Sequence, residues 1–62
     1  MTFEEWKRDL AGELAAMFGW HGYEGVDYII KTGDVCWREM FDDGLTPKEA
    51  AIEEVQAAAE ST

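Results

Sequence analysis

Apolar side chains recur at intervals of three or four residues through the first part of the chain, which is the spacing of one side of a helix. They are Phe3, Trp6, Leu10, Leu14 and Met17. The pattern predicts an amphipathic helix over residues 2–18, because such positions share a side only in an α-helix. This apolar side has to be buried, so the rest of the chain must supply matching apolar surface.

Capping residues mark both ends of this first helix. Thr2 and Glu5 have the spacing of a capping box, in which each side chain accepts a hydrogen bond from the backbone amide of the other residue. Gly19 is placed to end the helix in the left-handed conformation. The sequence therefore predicts where this helix begins and where it ends.

A turn is predicted over residues 19–25, because three of these seven residues are glycines. Trp20 and Tyr23 lie within this turn. Large aromatic side chains are usually buried to a large extent, which favours packing of both rings on the core. The alternative is that they stay at the surface as anchors for a partner.

A second, short helix is predicted over residues 23–32, with Val26, Ile29 and Ile30 as its apolar side. The adjacent isoleucines would also suit a β-strand. No second segment of strand-like sequence is available to pair with it, and an unpaired strand leaves its backbone groups without hydrogen bonds. The helix is therefore the favoured interpretation.

A third helix is predicted over residues 34–43, with Asp34 as its N-cap. Trp37, Met40 and Phe41 form its apolar side. Cys36 adjoins that side, and we expect it to be a small buried side chain because free cysteines are commonly buried.

The clearest local signal is the Leu-Thr-Pro-Lys-Glu-Ala segment at residues 45–50. Thr46 is the expected N-cap, Pro47 the first helical residue and Glu49 the third, which is the order that capping chemistry favours. A fourth helix is predicted over residues 45–59, and its apolar side is rich in alanine. Residues 60–62 are expected to fray.

Four helices with short connections predict one all-α domain over residues 1–62, a compact bundle of three to four short helices. A single cysteine cannot form an internal disulfide, and one cysteine with one histidine falls short of a structural zinc site. Stability must therefore come from packing of the three Trp, two Tyr and three Phe residues. A homodimer would add to that packing.

The formal net charge of −9 on 62 residues limits the kind of partner. Contact with nucleic acid or with an anionic membrane needs clustered Lys and Arg residues, and the chain has only five. A basic protein surface is the partner that this charge favours. The alternative interpretation is that the charge only maintains solubility.

From residue 34 onward, eight carboxylates stand against two cations, Arg38 and Lys48. We interpret these carboxylates as an acidic patch, gathered on one side of the bundle, that competes for a basic groove that binds nucleic acid, with a solvated helix side as the alternative. The candidate partner-binding residues are the acidic Glu39, Asp42, Asp43, Glu49, Glu53 and Glu54 and the aromatic Trp20 and Tyr23.

Catalysis and metal binding are not favoured, and no residue is assigned to catalysis, a cofactor or a metal. His21 is the only histidine, and no serine precedes Ser61. Four short helices also leave little volume for a substrate pocket. Asp42 could begin a calcium loop, but Gly44, Thr46 and Glu53 do not supply the later ligands. An enzyme or a metal protein is therefore the third hypothesis.

No secretion signal is expected, because Glu4, Glu5, Lys7 and Arg8 occupy positions where an apolar segment would lie. No apolar run approaches the roughly 18 residues of a membrane span. We expect a cytoplasmic protein in which the Cys36 thiol is reduced.

Residues 32–51 include the string Thr-Gly-Asp-Val-Cys-Trp-Arg and, after it, Asp-Asp-Gly-Leu-Thr-Pro. This segment, about a third of the chain, resembles the signature of short proteins encoded by tailed bacteriophages and prophages, most of which have no known function. In size and acidity the chain is also similar to anti-CRISPR proteins. The resemblance carries no catalytic residue that could be transferred to this chain.

These resemblances imply a protein of phage type that binds and inhibits or modulates a host protein, in the cytosol of the host cell. The most specific version is an anti-CRISPR protein whose partner is a subunit of a CRISPR–Cas effector, blocked at its basic nucleic-acid-binding surface. The alternative is a homodimeric structural or assembly accessory protein with no inhibitory role.

Overall fold

The computed structural model describes residues 1–60 and contains four α-helices and no strand in that range. They are α1 (Phe3–Phe18), α2 (Glu24–Thr32), α3 (Asp34–Asp42) and α4 (Pro47–Glu60). The predicted all-α bundle is confirmed, and every predicted helix end lies within two residues of the observed one. Glu60, where fraying was expected, is helical, whereas residues 61 and 62 lie outside the described part of the chain.

Reciprocal capping boxes begin α1 and α4, as predicted. The Thr2 hydroxyl accepts a hydrogen bond from the Glu5 amide at 3.2 Å, and the Glu5 carboxylate accepts one from the Thr2 amide at 3.0 Å. Thr46 and Glu49 repeat this arrangement at 3.2 and 3.0 Å. These bonds satisfy amides that have no partner within the helix. At the other end of α1, Gly19 takes the predicted left-handed conformation, with φ of 71°.

The beginning of α3 differs from the prediction. Gly33 occupies the N-cap position, Asp34 is the first helical residue, and no side chain caps this helix. The Asp34 carboxylate instead accepts a hydrogen bond from Lys7 Nζ at 3.2 Å. The assignment of Asp34 as a cap is therefore wrong, because its carboxylate is taken up by a lysine of α1.

The core is built around α1, and every other helix contributes only one or two side chains to it. The buried apolar residues are Trp6, Leu10, Ala11 and Leu14 from α1, Ile29 from α2, Trp37 from α3, and Ala50 and Ala51 from α4. The two buried indoles are both hydrogen bonded, since Trp6 donates to the Leu45 carbonyl at 2.8 Å and Trp37 to the Ile29 carbonyl at 3.0 Å.

The helices α1 and α2 approach each other closely at Gly25. A Cβ atom placed on this residue would lie 2.5 Å from the Ala11 carbonyl oxygen, so the packing requires a residue without a side chain. Further along, the first residue of α3 reaches Lys7, which precedes Ala11 in α1. These contacts show that α2 runs antiparallel to α1.

Two predictions about burial in the short helices are wrong. Of the predicted apolar side of α2, only Ile29 is buried, while Val26 and Ile30 are 43% and 69% exposed. Cys36 is exposed on α3. Neighbouring positions of a helix are rotated by about 100°, so Ile30 and Cys36 point away from the core that Ile29 and Trp37 enter.

Candidate protein-binding surfaces

The carboxylates are spread over all four helices and are not confined to α3 and α4. No charged side chain is buried among residues 1–60. Each helix carries more acidic than basic residues, and the excess is largest on α4, with four glutamates against Lys48. The bundle therefore presents negative charge on every helix.

Three of the five cations are held in ion pairs within the chain. The ion pairs in the described residues are Lys7 with Glu4 and with Asp34, Lys31 with Asp27, and Arg38 with Asp42, at N···O distances of 3.1 to 3.2 Å. Four of the 14 carboxylates take part in these pairs. The other ten form no ion pair with another described residue.

Lys7 is the most enclosed of the cations, with a side chain 15% exposed. Its ammonium group lies 4.7 Å from the centre of the Phe3 ring. Burial opposes the charged form, but the hydrogen bonds to Asp34 and Glu4 outweigh it and raise the pKa of Lys7. The lysine therefore stays charged and connects α1 to the beginning of α3.

The three predicted contact residues on and after α3 are all exposed. The Asp42 carboxylate accepts hydrogen bonds from Arg38 Nε at 3.2 and 3.4 Å. The carboxylates of Glu39 and Asp43 make no hydrogen bond or ion pair with another described residue. These two carboxylates are therefore the ones that α3 and its C-terminal end offer to a partner.

The three predicted contact residues on α4 have different surroundings. Glu49 is exposed, and its capping hydrogen bonds with Thr46 lower its pKa. Glu53, one turn further on, is exposed and has no side-chain partner among the described residues. Glu54 is half-buried and accepts a hydrogen bond from the Tyr28 hydroxyl. Glu54 thus joins α4 to α2, whereas Glu53 faces solvent.

Partial burial and the hydrogen bond between Tyr28 and Glu54 change the acidity of the Tyr28 phenol strongly. Burial of the phenol and its hydrogen bond with Glu54 raise the pKa of Tyr28 to about 12. The Tyr28–Glu54 contact is therefore part of the internal packing of the bundle, and it competes with any role of Glu54 in binding a partner.

The two predicted aromatic anchors lie in different environments. Trp20 is half-buried and packs on the core, with its ring stacked on Phe18 at a centroid distance of 4.7 Å. Tyr23 is the N-cap residue of α2 and is 85% exposed. Packing on the core is thus confirmed for Trp20 and wrong for Tyr23, which is the exposed ring of these two.

Sequence reasoning missed a groove of about 240 Å³ between α1 and α2. We call it the α1–α2 groove, and its apolar walls are Ala11, Val26, Ile29 and Ile30. No signal in the sequence indicates this groove, because Val26, Ile29 and Ile30 have the spacing of an ordinary apolar helix side that packs on a core.

The described residues do not bring together three or more His, Cys, Asp or Glu side chains that could hold a metal ion. His21 is exposed, and its backbone amide donates a hydrogen bond to Glu24 at 3.2 Å. None of the helices in residues 1–60 has the length and apolar character needed to cross a bilayer.

No family model, curated protein or solved structure matches the chain. The resemblance of residues 32–51 to the phage signature therefore stays a prediction, and so do the partner and the activity that it implies.

Proposed function

We propose that the protein binds a basic surface of a host protein and thereby inhibits or modulates that protein. The observation that carries the proposal is the uncompensated charge of the bundle, in which ten carboxylates of residues 1–60 form no ion pair within that range. Exposed charge of one sign accelerates encounter with a surface of the opposite sign and selects against partners of the same sign.

Of the six acidic residues predicted to contact a partner, three are exposed and have no side-chain partner in the described residues, and these are the best suited to the contact. They are Glu39, Asp43 and Glu53. Asp42 and Glu49 are also exposed, although Arg38 and the α4 cap already engage them. The exposed ring of Tyr23 adds an aromatic side chain of the kind that contributes strongly to protein interfaces.

The most specific form of the proposal is an anti-CRISPR protein. A CRISPR–Cas effector holds its guide–target duplex in a positively charged channel. A small rigid bundle that carries unpaired carboxylates can occupy the basic side chains of such a channel and exclude nucleic acid from them. This form also depends on the resemblance of residues 32–51 to the phage signature.

Target-DNA binding by a panel of purified CRISPR–Cas effectors, measured with and without the protein, tests the specific form. We expect at least one effector to lose DNA binding, and we expect the effect to weaken as salt is added, because exposed charges are screened. If every effector keeps its affinity for DNA, the anti-CRISPR form is wrong.

Matched double variants test the assigned contacts. Glu39→Gln with Glu53→Gln removes one free carboxylate from α3 and one from α4, and Asp9→Asn with Glu13→Gln makes the same change of net charge on α1. We expect the first pair to weaken binding by roughly threefold to tenfold and the second pair to change it less. Equal effects would show that only net charge matters and that the contact residues are wrongly assigned.

The general form of the proposal needs a separate test. The immobilised protein is exposed to host lysate at low salt, and the retained proteins are identified by mass spectrometry. We expect a basic protein that is released by salt. Recovery of no protein above the level seen with an unrelated acidic protein of similar size would contradict the proposal.

A further inference from the structure

The outer side of α2 leaves large apolar side chains in contact with solvent. Val26 and Ile30 are one helical turn apart and are 43% and 69% exposed. Both line the α1–α2 groove, in which Ala11 and Ile29 form the remaining apolar wall. Apolar side chains gathered beside a groove are typical of a surface that is covered by another molecule.

The charge around this groove differs from the charge of the rest of the bundle. Its rim consists of two carboxylates, Glu4 and Asp34, and two cations, Lys7 and Arg8. The rim is therefore neutral in sum, although α1, α2 and α3 each carry a net negative charge. Arg8 is exposed and makes no ion pair with a described residue.

We propose that the α1–α2 groove is the contact surface between two copies of this chain. A basic partner would gain no net attraction from a neutral rim, whereas a second copy brings the same neutral rim and the same apolar side chains. Around a two-fold axis the same residues meet from both copies. Arg8 of one copy can then approach Glu4 or Asp34 of the other.

The size of the molecule is compatible with such a contact. A standard interface buries roughly 800 Å² on each partner, and the described residues expose 4274 Å² in all. The contact must therefore extend beyond Val26 and Ile30 to the rim of the groove. A chain this short also buries a smaller fraction of its surface than a larger domain does, so covering an exposed isoleucine adds to its stability.

Sedimentation equilibrium from micromolar to millimolar concentration tests the proposal with two matched variants. Ile30→Glu places a carboxylate in the proposed contact, and Ile52→Glu makes the same change at an isoleucine of α4 that is 40% exposed and lies outside the groove. We expect a dimer whose dissociation constant rises at least about tenfold in Ile30→Glu and changes little in Ile52→Glu. Equal far-ultraviolet circular dichroism of the two variants shows that both are folded.

A second matched pair of variants tests how charge at the rim of the groove contributes to the dimer. Arg8→Glu and Lys48→Glu change the only two Lys or Arg side chains that form no ion pair within the described residues. We expect Arg8→Glu to weaken the dimer more than Lys48→Glu does, because only Arg8 lies on the rim of the α1–α2 groove.

The dependence on salt separates this proposal from the proposed function, on which it does not rest. Two copies each carry a net charge of −9, so screening by added salt removes repulsion and tightens the dimer. Salt weakens the contact with a basic host protein.

A protein that stays monomeric at millimolar concentration in high salt would overturn the proposal, as would equal weakening of the dimer by Ile30→Glu and Ile52→Glu. Loss of host-protein binding in Ile30→Glu, with no dimer in the unaltered protein, would also overturn it. That result would assign the groove to the host partner.

Discussion

The indole nitrogen of Trp6 donates a hydrogen bond of 2.8 Å to the carbonyl oxygen of Leu45. The two residues are 39 positions apart in the chain. Leu45 immediately precedes the capping residue Thr46, so this bond holds the beginning of α4 against the N-terminal half of α1. A buried aromatic side chain thus provides both packing and a specific polar contact.

Replacing Trp6 with phenylalanine should lower the free energy of unfolding by about 1–3 kcal/mol, because the Leu45 carbonyl loses its donor in a partly buried position. Urea denaturation measures this loss. Trp20→Phe is the matched control, since Trp20 is half-buried and its indole makes no hydrogen bond with another described residue. We expect a smaller loss there, and equal losses would contradict a role for the hydrogen bond.

Two glycine-to-alanine substitutions within helices should change stability in opposite directions. Gly25→Ala would bring a methyl group to within 2.5 Å of the Ala11 carbonyl oxygen and force α1 and α2 apart. We expect it to lower the free energy of unfolding by roughly 1–3 kcal/mol.

Gly12→Ala meets no atom within 4 Å and should raise the free energy of unfolding by about 0.5–1 kcal/mol through helix propensity. Thermal unfolding of both variants measures the difference. A Gly25→Ala protein as stable as the unaltered one would show that α1 and α2 can separate at no cost.

The contact between Tyr28 and Glu54 should make stability depend on pH in the alkaline range. Burial and the hydrogen bond raise the pKa of Tyr28 from 10.0 to about 12, so the folded state holds the phenol proton more tightly than the unfolded state. This contribution is fully present below pH 10.0 and is lost as the pH rises through about 12.

Denaturation in urea at several alkaline pH values measures this loss in the unaltered protein and in Tyr28→Phe. The variant should lose less stability as the pH rises over this interval. Tyr23→Phe is the control, because Tyr23 is 85% exposed. The same alkaline slope in Tyr28→Phe and in the unaltered protein would contradict the assignment.

The cap of α4 should make stability depend on pH in the acid range. Hydrogen bonds with Thr46 lower the pKa of Glu49 below 4.5. The contribution of this carboxylate is therefore present above pH 4.5 and is lost as the pH falls through the folded-state pKa.

Glu49→Ala and Glu53→Ala remove the same charge from adjacent turns of α4, and only Glu49 belongs to the cap. We expect Glu49→Ala to be the less stable variant at neutral pH, and we expect the two to become alike in acid. Chemical denaturation at both pH values measures the difference. A difference that persists after the carboxylates are protonated would show that the charged form of Glu49 is not the source of the effect.

The candidate contact residues show how far sequence reasoning extends to the surface. Exposure of Glu39, Asp43 and Glu53 agrees with the expectation that charged residues stay in solvent. The hydrogen bond between Glu54 and Tyr28 joins residues 26 positions apart. No pattern in the neighbourhood of either residue indicates that they meet, and the same holds for the groove beside Val26 and Ile30.

The amino-acid sequence by itself determined the four helices, the two capping boxes and the end of α1 at Gly19, because these features depend on hydrogen bonds between residues no more than a few positions apart. Only the tertiary structure decided that Asp34 pairs with Lys7, that Cys36 and Ile30 face solvent, and that Trp20 packs while Tyr23 does not. Periodicity identifies which positions of a helix share a side. In each short helix, however, the neighbouring helices cover only part of the apolar side. Which part is covered depends on how the helices pack against one another.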